Sequence, residues 1–143
     1  MMNTQNQNPK NTEDPPVLLD ATQMERLYGM AESLSVREPD VAEQLLNELN
    51  RAAVVAPGDL PHGVVTIGSS VTYFDETSQS EKTVTVVLPT DANIASQRIS
   101  VLTPIGAALI GLAEGSAINW QTRNGEVRKL TITRVSPPGS DQV

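Results

Sequence analysis

The chain has 143 residues and a formal charge of −7, with 38% apolar, 19% charged and 3% aromatic residues and no cysteine. That is enough chain for one full domain, or for a small domain with an appendage, and enough apolar material to bury a core. It excludes disulfides and cysteine-ligated metals, and its acidity argues against a phosphate-binding surface and for a basic partner.

Residues 1–16, "MMNTQNQNPKNTEDPP", are polar and carry no hydrophobic stretch. They are expected to be a disordered lead-in, not a signal peptide. Residues 17–55 are predicted to form a short antiparallel helical hairpin, a small coiled coil. Asp20 followed by Gln23 fits an N-cap with a capping box, and Met24, Leu27, Ala31 and Leu34 recur on one helical face. In "PDVAEQLLNELNRAAVV", Asp40 is expected to cap the second helix with Glu43 completing its box, and Val41, Leu45, Leu49 and Ala52 share a face. Residues 17–53 hold seven acids and three arginines, a net −4. Residues 56–63, "APGDLPHG", read as a linker.

Residues 64–136 are predicted to form an α+β domain. "VVTIGSSVTYFDE" reads as two short strands broken at Gly68-Ser69, "TSQSE" as a turn and "KTVTVVLP" as a strand ending at Pro89. "TDANIASQ" is a polar loop, and "RISVL" is extended. In "LTPIGAALIGLAEGS", Thr103 is an N-cap and Pro104 sits at N1, where its missing N–H costs nothing. Ile105, Leu109 and Leu112 would face the core, and Gly115 would end the unit. The last strands form a hairpin across Asn124-Gly125, a pair suited to a type I′ turn. Residues 137–143 read as a loose tail. This order gives an antiparallel sheet with one packed helix.

"ISVLTPIGAALIGLAEGSAINWQTRNGEV" resembles the C-terminal domain of the bacterial Gre transcript-cleavage factors. "LNRAAVVAPGDLPHGVVTIGSSV" resembles the Rnk-type branch, the regulators of nucleoside diphosphate kinase, which joins such a domain to a shortened helical arm. The resemblance implies an FKBP-like fold that docks on the rim of the RNA polymerase secondary channel, with the arm pointing inward. In cleavage-competent relatives two acids at the arm tip hold a second Mg²⁺. Rnk-type relatives are thought to occupy the site without cleavage.

The candidate residues follow. Leu102, Thr103, Pro104 and Ile105 fall where the family's docking turn lies. Arg37, Glu38 and Asp40 fall at the arm tip. The resemblance implies catalytic acids spaced D-x-x-E/D on a long arm. Here Glu38 and Asp40 stand two apart across Pro39 on a short one, so a capping role for Asp40 and a solvated Glu38 are expected, with no catalytic residue, metal or cofactor. The alternatives are a cleavage factor using Glu38 and Asp40, and a regulator of nucleotide metabolism acting through another protein. His62 reads as a surface loop residue and Trp120 as sheet packing. Arg123, Arg128, Lys129 and Arg134 read as a solvated sheet face. Four scattered aromatics argue against a prolyl isomerase pocket and against a base-stacking platform. The expected partner is RNA polymerase in the cytoplasm, without sequence-specific nucleic-acid binding, a small-molecule substrate or a membrane.

Overall fold

The computed structural model describes residues 15–121 and 125–138. Helix α1 spans Ala21–Leu34, and the Asp20 carboxylate caps it by accepting from the Gln23 N–H at 2.8 Å. Helix α2 spans Pro39–Asn50. Asp40 does not cap it. Pro39 takes N1, Glu38 stands at the N-cap with no side-chain cap bond, and Asp40 lies in the first turn. The proline ring decides this: its fixed φ and missing N–H suit N1, which moves Asp40 two positions inward, from the N-cap to N2. An acid there still meets the positive end of the helix. The buried stripe is Ala42, Leu45 and Leu49, with Val41 only half-buried. The Tyr28 hydroxyl donates to Asn50 Oδ1 across the hairpin.

Two three-residue strands flank the hairpin, and neither is expected from the sequence. β1 (Leu18–Asp20) pairs in parallel with β2 (Ala53–Val55), from Leu18 against Ala53 to Asp20 against Val55. Val17 and Leu19 are fully buried. The Leu18 N–H donates to the Gly111 carbonyl at 2.9 Å.

The second half is a five-stranded sheet. Its strands are β3 (Ser70–Asp75), β4 (Ser80–Val87), β5 (Arg98–Ser100), β6 (Ala117–Gln121) and β7 (Val127–Ser136), in the order β5-β4-β3-β7-β6. Three of its pairings are antiparallel, as expected, but β4 and β5 run parallel, so the sheet is mixed. Residues 64–69 form no separate strand. Val64 makes a single bridge to Ala113, and Gly68 turns the chain at φ 95°. The polar loop after β4 folds into two 3-10 turns, Pro89–Asp91 and Ile94–Ser96. Helix α3 spans Pro104–Leu109, six residues, and stops well before Gly115. The chain leaves it through an extended Ile110 and a left-handed Gly111 at φ 82°. A Cβ on Gly111 would lie 2.5 Å from Val17 Cγ1, so the early end makes room for the chain at the start of β1. The Asn124-Gly125 turn rests on Asn124, outside the described residues, as do Arg123, most of the tail and all but the end of the lead-in.

One continuous core joins the two halves. Leu27, Ala31, Leu45 and Leu49 of the arm pack in the same cluster as Val71, Leu109, Leu112, Leu130 and Ile132. Leu34 and Ala42, nearer the tip, are buried but lie outside that cluster. The architecture is α+β: a helical hairpin, then a sheet with one short packed helix. Among the described residues, no helix is long and apolar enough to cross a membrane.

Candidate functional site

The turn before α3 is built from its own hydroxyls. Thr103 Oγ1 donates to the Ser100 carbonyl at 2.7 Å and accepts from the Gly106 N–H at 3.1 Å. Ser100 Oγ accepts from the Leu102 N–H at 3.0 Å. The expected N-cap and the proline at N1 are both in place. The helix starts almost on top of β5, because a Cβ on Gly106 would lie 2.2 Å from the Ser100 oxygen. Leu102, Thr103, Pro104 and Ile105 are each half-buried, and Leu102 and Ile105 lean on the core. The four residues therefore form a fixed, partly apolar ledge.

The arm tip is a tight turn. The Arg37 and Glu38 N–H groups both donate to the Leu34 carbonyl, at 3.0 and 2.8 Å. Arg37, Glu38 and Asp40 are exposed, and Val36 at the apex is 86% exposed. The ledge meets α2 at Gln44, whose Nε2 donates to the Pro104 carbonyl at 3.0 Å. Gln44 lies one helical turn beyond Asp40. Ledge and tip thus share one helix, with the ledge against its flank and the tip at its start.

Gln23 and Arg128 also depart from the expectation. Gln23 does not close a capping box. Its Oε1 accepts from Thr66 Oγ1 at 2.6 Å and from the Ile67 N–H at 3.0 Å, tying α1 to the domain. Arg128 is not on a solvated face either, since its Nη1 lies 2.6 Å from Asp75 Oδ2 and Asp75 is buried. Asp75 Oδ1 also accepts from the Thr77 and Ser78 N–H groups, at 2.9 and 3.4 Å. Burial raises the Asp75 pKa, but these hydrogen bonds and the Arg128 charge outweigh it, so the carboxyl sits below its usual range. The Tyr73 hydroxyl beside it is pushed up by burial and by the Asp75 charge. An Asp followed two and three positions later by Thr and Ser is an Asx-turn signal that could have located Asp75. Lys129 and Arg134 are exposed, as is His62. How the Trp120 side chain packs lies outside the described residues.

Arm and ledge together define a class of protein: a small α+β domain that carries a projecting helical arm. Residues 60–137 match the family "Transcription elongation factor, GreA/GreB, C-term", and residues 15–55 match "Rnk N-terminus". The chain is 30% identical over 118 residues to the "Regulator of nucleoside diphosphate kinase" of Escherichia coli strain K12, covering 82% of this chain and 87% of that one. It is 41% identical over 92 residues to the "Transcription elongation factor GreA" of Chloroflexus aggregans, covering 64% of this chain and 58% of that one. Among solved structures, the GreA/GreB elongation factor from Nitrosomonas europaea aligns with TM-score 0.67 and 36% identity, over 86% of this chain and 99% of that one. The chain belongs to the GreA/GreB C-terminal family, in the Rnk-type branch that precedes this domain with its own N-terminal helical segment.

Proposed function

We propose that this protein is a non-enzymatic regulator of RNA polymerase in the cytoplasm. It docks through Leu102–Ile105 on the rim of the secondary channel, inserts its short arm and excludes Gre cleavage factors from the same place. The observation that carries this reading is the arm. α1 is 14 residues long, so its rise is about 21 Å at 1.5 Å per residue. The match takes in 87% of the Escherichia coli regulator but 58% of the Chloroflexus aggregans GreA, which supports a body of the Gre kind with a reduced arm.

At the tip, Glu38 and Asp40 are separated by Pro39 and belong to a helix start. Two carboxylates that hold one ion must converge on it, and a helix start with solvated acids serves the dipole without that convergence. The test is cleavage of backtracked RNA by purified polymerase. Added alone, the protein should leave the RNA intact. Added with a Gre factor, it should slow cleavage in a dose-dependent way. Strong cleavage by the protein alone, abolished in Glu38→Ala, would establish the rival reading of a cleavage factor.

The name of the Escherichia coli relative, a regulator of nucleoside diphosphate kinase, favours a second reading, in which the chain acts on nucleotide metabolism through another protein. Capture of a nucleoside diphosphate kinase, without polymerase subunits, by the tagged protein would decide for it.

A further inference from the structure

We propose that two glutamines, Gln23 and Gln44, set the direction in which the arm points. The apolar contact between arm and domain is extensive, but hydrophobic contact has no preferred direction. It brings the arm close, and the Leu18 N–H bond to the Gly111 carbonyl pins its base, which leaves the tilt further along the arm to be set. Hydrogen bonds do have a direction. Gln23 ties α1 to Thr66 and Ile67 of the domain, and Gln44 ties α2 to Pro104.

Both ties end on stiff parts of the domain. The Thr66 N–H donates to Ser69 Oγ at 2.9 Å, and the Ser69 N–H donates to the Thr66 carbonyl at 3.0 Å. Pro104 is held by the Thr103 cap. Along the arm, Gln23 lies near the base, and Gln44 lies beside Leu45, the α2 residue nearest the tip in the shared core. One tie per helix, at two heights, opposes rocking about either one.

The chemistry of the two ties is opposite, and their partners make that unambiguous. The Ile67 N–H can only donate, so Gln23 must present its oxygen there. The Pro104 carbonyl can only accept, so Gln44 must present its NH₂. Replacing each glutamine by glutamate therefore separates the roles. Gln23→Glu keeps an acceptor for two donors. Gln44→Glu sets a carboxylate against a carbonyl and loses the donor. The same change, a new negative charge at nearly constant shape, should leave one tie intact and break the other. Under the polymerase reading, a pre-aimed arm enters a channel with less ordering cost on binding. The claim about direction itself concerns the free protein.

The test uses spin labels and the full chain. The sequence has no cysteine, so Val36→Cys at the apex and Ile94→Cys on the domain, 86% and 84% exposed, take up label only there. The distance distribution between them should be a single narrow peak in the parent and in Gln23→Glu. It should at least double in width in Gln44→Glu and in Gln23→Ala, with circular dichroism unchanged. Should Gln44→Glu fail to fold, Gln44→Met keeps the length and the packing without a donor and should broaden the peak equally. Equal widths in all variants, or equal broadening by the two glutamates, would overturn the proposal. Neither result depends on polymerase binding, so failure of the polymerase reading would be seen separately.

Discussion

At position 106 there is no room for a side chain. A Cβ would stand 2.2 Å from the Ser100 oxygen and 2.9 Å from Val101 Cα, both backbone atoms that cannot swing aside. Gly106→Ala should therefore destabilise the protein by about 2 kcal/mol or more, the scale of forced overpacking. A urea midpoint that does not move would refute this. Asp75 is the other sensitive residue. Its folded pKa lies below the ordinary carboxylate value, so its contribution is present above that ordinary value and is lost as pH falls through the folded one. The parent should thus lose stability on acidification, and Asp75→Asn should lose less over the same range. At neutral pH the variant should be weaker by about 1–3 kcal/mol, because Arg128 loses its carboxylate partner and meets an amide NH₂, while the amide oxygen can still accept from the two turn N–H groups. Matching pH profiles for parent and variant would dismiss the role. The Thr103 cap was legible in the sequence because a cap and a proline at N1 are decided within four residues. Asp40 was misread because two local preferences competed and the ring of Pro39 won. The burial of Asp75 was out of reach, since its charge partner is 53 positions away.

Among the elements, the two main helices and four of the sheet strands were legible from periodicity. What was missed depends on distant partners. β1 and β2 have three residues each and pair across more than thirty positions of intervening chain. No pattern of period two can show in three residues. β5 was read as extended, but its parallel pairing to β4 follows from the path of the loop between them. α3 stops at Leu109 because the chain at the start of β1 occupies the space beside Gly111, a contact across about ninety residues. Of the candidate site, the ledge was legible and its bond to Gln44 was not. The ledge also allows a prediction at this scale. Proline at N1 pre-sets the approach to α3, so Pro104→Ala should loosen the presented turn more than the core beneath it. Under the proposed docking, polymerase affinity should fall several-fold while circular dichroism is unchanged. A folded variant with parental affinity would move the docking surface elsewhere.

For the whole molecule, charge and shape combine in one prediction. Residues 17–53 carry a net −4. If the arm enters a basic channel, part of the association is electrostatic steering, which salt screens over roughly 8 Å at physiological ionic strength. Inhibition of Gre-stimulated cleavage should therefore weaken as salt rises. Glu38→Ala combined with Asp40→Asn should keep most of the inhibition at low salt, because exclusion by the body does not need the tip. Complete loss of inhibition, with polymerase binding retained, would show that the tip acids act at the active centre. The parallel pairing of β1 with β2 has a further meaning for such molecules. The whole hairpin is the crossover between two neighbouring parallel strands, so it enters and leaves the body through a gap of about 4.8 Å. Its reach is then independent of its mounting. Seven residues added to each helix would carry the apex about 10 Å further along, by helical rise alone, with the heptad face still in register. Arms of different reach can be fitted to one unchanged socket, so a lineage could change how deep its members probe without redesigning where they sit.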